Sequence, residues 1–343
     1  MEKPAVALDA RLTRQMSIGM KAYASELAAR LPLAAPDLRF IPFTHGANFT
    51  FDEQVRLPFT IARSGASLTH YLSLYAPLLA PRPYVVTVHD LIHLRFARYF
   101  KRHIGPYYRT AVRRLCARAA FVITDDERTA GDLQTYLRID PAKVRVIALG
   151  AADVFFAPAP PHAPDRPYIL YAGNRREHKD LPTLLHAWAA LPAGIDVDLY
   201  LTGHDDVVSA GGERFARTNG RIVALGDISE PELASYYAGA SALVHPALCE
   251  GFGLPMLEAM AQGCPVIACQ DAVPGVLRKA VLTFPARDWR GASAAIERVL
   301  QDAALQHELR ARGRAHAAPY TWDRCARETA QVYRDALQER AAC

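Results

Sequence analysis

Several features that would assign this sequence to a specialised class of protein are scarce or absent. Six cysteines, at positions 116, 249, 264, 269, 325 and 343, form no C-x-x-C pair, and six in 343 residues are too few for a disulfide-rich scaffold. No stretch of about 18 apolar residues could form a membrane-spanning helix, and residues 1–15 contain no apolar core of signal-peptide length. We therefore predict a cytoplasmic protein that does not cross a membrane.

The composition also excludes a disordered chain. Hydrophobic residues make up 51% of the sequence, charged residues make up 22%, and the net charge is +5, whereas disorder requires fewer apolar residues and a larger net charge. A chain of 343 residues is longer than one hydrophobic core usually supports. Two domains of roughly 150 residues each are expected.

Acidic residues are missing from one stretch, residues 91–124, which we call the basic arm. It contains eight basic residues: Arg95, Arg98, Lys101, Arg102, Arg109, Arg113, Arg114 and Arg118. Residues 1–150 as a whole contain 21 Lys and Arg against 12 Asp and Glu, while the remainder contains 19 against 23. Because aromatic residues are interspersed among the cations, the basic arm suits an anionic membrane surface. It also suits nucleic-acid phosphates, or a helix face that is merely solvated.

The order of predicted elements indicates two α/β domains. Five prolines in residues 157–167 exclude helix and favour a stiff, extended linker. On both sides of it, continuous apolar strands alternate with helical patterns, as in parallel sheets that are covered on both faces. We predict a first doubly wound, Rossmann-like domain over 1–156, a linker over 157–167 and a second such domain over 168–319. A C-terminal helix over 320–343 is expected to pack back on the first domain.

The most informative stretch is ALVHPALCEGFGLPMLEAMAQGCPVIA, residues 242–268. It predicts a strand, a glycine-rich loop, a helix that starts near Pro255, and a second strand. Glu250 lies in the loop and Glu258 lies one turn into the helix. The N–H groups of residues 253–256, together with the helix dipole, suit an anion such as phosphate, and the carboxylates suit the hydroxyls of a sugar or ribose.

At this point the sequence resembles the retaining glycosyltransferases of family 4, which have the GT-B architecture. Their signature of two glutamates, usually EGFGLPxLE, stands here as EGFGLPMLE. VVTVHDLIHLRF, FVITDDERTAGDL, YILYAGNRREHKDLPTLLHAW and YTWDRCARETAQVYRDAL are similar to other family segments. Departures are Asp125 or Asp126 where the family often has Ser, Asp180 where it has Asn, and Gly275 where it has Glu.

The resemblance implies roles for the residues of the donor site. Glu258 would accept hydrogen bonds from the ribose hydroxyls, and Glu250 would meet hydroxyls of the transferred sugar. Arg175 and Lys179 would bind the diphosphate, with Arg176 as a substitute for Arg175. The remaining contacts to the sugar or phosphate would come from the backbone of Gly251, Phe252, Gly253 and Leu254.

The resemblance also implies a contribution from the first domain. His89 would face the transferred sugar, although a structural hydrogen-bonding role is the alternative. Asp90 would hold His89 or cap the next helix. Gly19 would allow the backbone to approach donor phosphate or acceptor, or would simply start a helix.

The function implied is transfer of a hexose from a nucleotide diphosphate sugar, with GDP-mannose as the first choice of donor. The acceptor would be a saccharide or lipid-linked saccharide of surface-polysaccharide or glycolipid assembly, and the enzyme could lie peripherally on the inner membrane. No cofactor or metal is expected, because no Asp-x-Asp pair follows a strand and the DVD at 196–198 lies within an apolar run. Alternatives are a UDP-sugar donor, a nonhydrolytic nucleotide-sugar epimerase, and a nucleic-acid-binding protein that uses the basic arm, although no nucleic acid is expected.

Overall fold

Two α/β units make up the chain. A computed structural model describes residues 3–11, 18–44, 46–48, 50–99, 101–203 and 220–342. The first unit comprises Met1–Gly150 together with Trp322–Cys343, and the second comprises Ala151–Thr321. The predicted fold class, two Rossmann-like units with parallel sheets, is confirmed.

The first unit is built on a parallel sheet with the strand order β2-β1-β3-β4-β5-β6. Its strands are β1 (Ala5–Asp9), β2 (Arg39–Phe43), β3 (Leu68–Tyr71), β4 (Tyr84–Val88), β5 (Phe121–Thr124) and β6 (Val144–Val146). Its helices before residue 150 are α1 (Ile18–Ala34), α2 (Leu57–Arg63), α3 (Ile92–Arg95), α4 (Ile104–Tyr107), α5 (Arg113–Arg118) and α6 (Glu127–Leu137). Every residue of β1, β3, β4 and β5 is buried, as expected for central parallel strands.

The second unit repeats this plan, with the strand order β12-β11-β10-β7-β8-β9. Its strands are β7 (Tyr168–Tyr171), β8 (Asp198–Thr202), β9 (Ile222–Gly226), β10 (Ala242–His245), β11 (Val266–Cys269) and β12 (Leu282–Phe284). Its helices are α7 (Leu181–Ala189), α8 (Glu230–Gly239), α9 (Leu254–Ala261), α10 (Trp289–Gln301) and α11 (Ala303–Ala317). The neighbouring strands pair in parallel, so the loops after them meet at one edge of the sheet, where ligands bind in such folds.

The proline-rich segment 157–167 is part of the second unit. Gln262 donates through Nε2 to the carbonyl oxygens of Phe155 (3.0 Å) and Ala157 (2.8 Å). Further along, Ser235 on α8 donates to the Pro160 carbonyl oxygen at 2.6 Å. The segment therefore packs along the second unit, and the division of the chain falls after Gly150 rather than at residue 156.

The last helix, α12 (Trp322–Ala342), belongs to the first unit. Its Asp323 pairs with Arg30 of α1 at 2.5 Å, and its Tyr333 hydroxyl lies 2.6 Å from Nδ1 of His70 on β3. An exposed ion pair therefore holds the C-terminal helix against α1, and a buried hydrogen bond holds it against the sheet. No helix in the described part of the chain is long and apolar enough to cross a membrane.

The basic arm is helical over most of its length, in short segments between Ile92 and Arg118, and its last four residues form β5. A π-helical segment, Tyr108–Val112, joins α4 to α5. All eight basic side chains of the arm are exposed. In contrast, Tyr108 is buried, and Ile104 and Tyr107 pack against the core of the first unit. Phe100 and the Tyr99 side chain lie outside the described residues.

Candidate active site

The stretch 242–268 forms the predicted strand, loop, helix and strand. The helix α9 begins at Leu254, so Pro255 is its second residue rather than its first. Gly253 caps it with a φ of +80°, a left-handed backbone conformation that favours glycine. Gly263, with a φ of +73°, follows the end of the helix, as predicted.

The N-terminal end of α9 has unused backbone donors. Its described hydrogen bonds start with Met256 N, which donates to the Gly253 carbonyl oxygen at 3.0 Å. Within the described part of the chain, the N–H groups of Phe252, Gly253 and Leu254 donate to no protein acceptor. Such a helix end attracts anions, because the helix dipole adds to the free N–H groups.

Glu250 is the centre of a buried polar cluster. Its Oε1 atom accepts hydrogen bonds from His245 Nε2, at 2.6 Å, and from Lys179 Nζ. Burial alone would raise the pKa of Glu250, but the Lys179 ammonium and the His245 hydrogen bond outweigh burial and hold this pKa well below its ordinary value. The Glu250 side chain is therefore an anion whose Oε1 atom is fixed in place.

The sequence reasoning missed His245. It is the last residue of β10, its side chain is 1% exposed, and its Nδ1 atom has no hydrogen-bond partner among the described residues. The neutral Nε2–H tautomer satisfies the bond to Glu250 without leaving a buried N–H group unpaired. A histidine at the end of a fully buried apolar strand was the signal, since a buried imidazole requires a polar partner.

Lys179 reaches Glu250 because a backbone hydrogen bond joins the loop after β7 to the loop after β10. The loop after β7 contains a short 3₁₀ turn, Glu177–Lys179, and the His178 carbonyl oxygen accepts from Leu248 N at 2.8 Å. Arg175, which is partly buried, donates to the Gly203 carbonyl oxygen at 3.5 Å, whereas Arg176 is exposed. The structure thus brings Lys179 to Glu250 and directs Arg175 towards the end of β8.

Glu258 has a different environment from Glu250. It lies on α9, as predicted, and its Oε2 atom accepts from the Tyr237 hydroxyl at 3.3 Å. Burial raises the pKa of Glu258 to about 7, although the Tyr237 hydrogen bond opposes the shift. The two glutamates of the signature are therefore held at very different pKa values by their surroundings.

The remaining predicted residues lie in the first unit. His89 and Asp90 directly follow β4, at the carboxyl edge of the sheet. His89 contacts Asp125 and the Leu72 carbonyl oxygen. Asp90 accepts from Ile92 N at 3.0 Å, so it caps α3. Gly19 is the second residue of α1.

The two carboxylates of the DVD stretch pair with arginines. Asp198, the last residue of the DVD, is fully buried at the start of β8 and pairs with Arg166 (3.1 Å) and Arg221 (3.0 Å). Asp196 also pairs with Arg166, at 2.6 Å. Among the described residues, no group of three or more His, Cys, Asp and Glu side chains could hold a metal ion.

A glycine-rich strand–loop–helix turn with a lysine and two carboxylates lies in the second of two parallel α/β units, and two such units are the GT-B architecture. Family models agree with this class. Residues 21–153 match the model of Glycosyltransferase Family 4, and residues 155–316 match that of Glycosyl transferases group 1. Each of the two units of the chain therefore matches a family model of glycosyltransferases.

Named relatives include several mannosyltransferases. The chain is 36% identical to an O-antigen chain mannosyltransferase B of Escherichia coli over 49% of this chain and 45% of that protein. It is 28% identical to an MMP alpha-(1->4)-mannosyltransferase of Mycolicibacterium hassiacum over 81% of this chain and 70% of that protein. A D-inositol 3-phosphate glycosyltransferase of Streptomyces bingchenggensis is 30% identical over 63% of this chain and 53% of that protein. The chain thus spans about half of the length of two of these relatives.

Solved structures show the same fold. Sucrose-phosphate synthase from Thermosynechococcus elongatus superposes with a TM-score of 0.76 at 21% identity, over 100% of both chains. The lipopolysaccharide glycosyltransferase WaaG superposes with a TM-score of 0.68 at 14% identity, over 96% of this chain and 98% of that one. At these identities the likeness concerns the fold alone.

Proposed function

We propose that this chain transfers a hexose, with retention of configuration, from a nucleotide diphosphate sugar to a saccharide or lipid-linked saccharide. The observation that carries the proposal is the cluster of Lys179, Glu250 and the N-terminal end of α9, with Glu258 one turn further along. Free N–H groups and an ammonium suit a departing diphosphate, and carboxylates suit hydroxyls. Mannose is the preferred sugar because two of the named relatives are mannosyltransferases, and GDP-mannose is the donor tested first.

In this reaction, the bond between the anomeric carbon and the β-phosphate oxygen breaks as the acceptor oxygen bonds to the same face of that carbon. The acceptor proton passes to the departing diphosphate. Lys179 and the N–H groups at the start of α9 stabilise the charge that develops on the diphosphate. Glu250 is not required as a nucleophile, and its Oε1 atom is already engaged by His245 and Lys179. No metal takes part.

The donor is tested by a panel of nucleotide sugars without acceptor. We expect slow hydrolysis of GDP-mannose, faster than that of UDP-hexoses, and unchanged by EDTA. Lys179→Ala should weaken binding of the nucleoside diphosphate much more than binding of the nucleoside, because the lost partner is a charge on phosphate. Lys279→Ala, which removes an exposed cation elsewhere in the second unit, is the matched control and should leave both affinities unchanged.

The outcomes of this panel separate the alternatives. Preference for a UDP-hexose would replace the donor assignment, and conversion of UDP-GlcNAc to its epimer without acceptor would identify the epimerase. Loss of turnover on chelation, restored by Mn²⁺, would overturn the metal-free reaction. With an acceptor present, NMR of the anomeric proton of the product distinguishes retention from inversion.

The basic arm is the proposed contact with the cytoplasmic face of an anionic membrane. All eight of its cations are exposed, and each basic residue near such a surface contributes about 1 kcal/mol to binding. A lipid-linked acceptor would be presented at the same surface. Ile104, Tyr107 and Tyr108 contribute little to this contact, because they pack inwards.

A further inference from the structure

The imidazole ring of His89 lies between two acceptors. Its Nδ1 atom is 2.8 Å from Asp125 Oδ2, and its Nε2 atom is 3.2 Å from the Leu72 carbonyl oxygen. The side chains of His89 and Asp125 are 13% and 2% exposed, so water screens the pair only weakly. A carbonyl oxygen can only accept, and so can an ionised carboxylate.

Beside an ionised Asp125, this geometry selects one protonation state of the His89 ring. A neutral imidazole has one N–H group and one bare nitrogen, so it would direct a lone pair at one of the two oxygens. An imidazolium donates to both. We propose that Asp125 keeps His89 in the imidazolium form, so that His89 acts as a fixed positive charge in the transfer reaction and not as a proton acceptor.

The groups around the ring agree with a single positive charge at this position. Burial would lower the pKa of His89, but Asp125, with help from Asp90, raises it above its ordinary value. His70 on β3 adds no competing charge, because burial lowers its pKa to about 3. From α1, Tyr23 meets the ring edge-on, with the ring centres 4.6 Å apart.

Two other titratable side chains near the ring, Tyr23 and Cys325, have raised pKa values. Burial raises the pKa of Tyr23 far above its ordinary value. Cys325 of α12 interacts with Asp125, and burial also raises the pKa of its thiol. Both side chains therefore stay uncharged at neutral pH. Asp126, the neighbour of Asp125, caps α6 by accepting from Arg128 N.

A fixed cation at the carboxyl end of β4 has a defined use. It would stabilise negative charge on a substrate group bound at this edge of the first sheet without exchanging a proton. Asp125 is then a positioning residue, at or next to a position where the resembling family often has Ser. This part of the inference rests on the proposed function, whereas the charge of His89 can be measured without it.

The charge is measured by ¹⁵N NMR of histidine-labelled protein, with His89→Gln used to assign the signals. We expect the two ring nitrogens of His89 to give the similar shifts of an imidazolium at pH 7 and above. In Asp125→Ser, burial is no longer opposed, so the signals should change to those of a neutral ring by pH 7. Burial also raises the pKa of Asp125, and a proton held by the Asp125 carboxyl would leave the His89 ring neutral. Neutral-ring signals in the parent protein would overturn the proposal.

Activity provides a second readout that a merely structural role would not affect. Donor turnover by Asp125→Ser should fall about tenfold at pH 8 and by less at pH 6, because a larger share of the rings is protonated at the lower pH. Asp126→Asn removes the adjacent negative charge while keeping a capping residue, and it should follow the parent's pH profile. A loss in Asp125→Ser that is equal at both pH values would overturn the catalytic part of the proposal. Failure of every donor would refute the proposed function but leave the NMR result intact.

Discussion

Glu258 is a residue of the candidate site that lowers the stability of the folded protein and is proposed to bind the donor. Its pKa of about 7 in the folded protein exceeds the ordinary value for glutamate, so ionising it opposes folding. As pH rises from about 4.5 to 7, the unfolded chain loses its proton first and stability falls, by up to about 1.4 kcal/mol per pH unit. Glu258→Gln should therefore raise the melting temperature at pH 8 but not at pH 4.5. It should also weaken donor binding by about 1 to 3 kcal/mol, because an amide is a poorer acceptor for ribose hydroxyls.

Calorimetric melting and donor titration test both halves of this prediction. Glu308→Gln is the control, because Glu308 is an exposed glutamate of the same unit and should change neither quantity at any pH. Unchanged donor affinity in Glu258→Gln would show that the ribose assignment is wrong.

Pairings between side chains were harder to predict than the motif itself. EGFGLPMLE located Glu250 and Glu258 because its glycines, proline and carboxylates are contiguous in the sequence and resemble the family signature. His245 and Asp125 were missed as site residues because each acts through a partner that folding supplies. Asp125 lies 36 residues from His89 in sequence, and only the parallel pairing of β4 with β5 brings them together.

Among the elements of the fold, the basic arm is the one whose contact with a membrane can be tested by substitution. Changing Arg98, Lys101 and Arg102 together to glutamate should release the protein from liposomes that contain anionic lipid, because three attractions are reversed. Binding by the parent should weaken with added salt, since exposed charges are screened over roughly 8 Å at physiological ionic strength. Flotation of liposomes with graded anionic lipid content measures this.

The control for the arm changes three exposed cations of the second unit, Arg278, Lys279 and Arg290, to glutamate. This variant has the same net charge as the arm variant and should still float with the liposomes. Donor hydrolysis should survive the changes in the arm. Equal flotation of the arm variant and the parent would show that the arm does not contact the membrane. Binding of the parent to nucleic acid instead would favour the alternative of a nucleic-acid-binding protein.

Elements with continuous apolar composition were predicted well, and the others were not. Strands β4, β5, β6, β7, β8, β9, β10 and β11 were anticipated from such runs. Strand β3 was not anticipated, because its sequence LTHY contains two polar residues that fold into the core. Strand β2 was missed as well, because its sequence RFIPF includes a proline and is partly exposed at the sheet edge.

For the whole molecule, a buried histidine predicts sensitivity to acid. His70 is fully buried and bonded to Tyr333 and Thr87, and burial lowers its pKa to about 3. Its contribution to stability is complete above its ordinary pKa of about 6.5. This contribution is lost as pH falls from there towards 3, because only the unfolded chain takes up the proton.

Urea unfolding at pH 7 and pH 5 measures this loss. We expect stability to fall by up to about 1.4 kcal/mol per pH unit more in the parent than in His70→Gln, which cannot titrate. Equal pH dependence in the two proteins would mean that His70 is charged in the folded state. The comparison cancels the opposite trend from Glu258, since that residue is present in both proteins.

The position of α12 affects how the protein is made. A ribosome completes residues 151–321, the whole second unit, before it adds the helix that supplies Tyr333 to His70 and Asp323 to Arg30. Domains generally fold in the order of synthesis, but here the unit that begins first is completed last. Until α12 arrives, the nascent first unit leaves the buried faces of Tyr23 and His70 uncovered, and these faces are the surface that a chaperone would recognise.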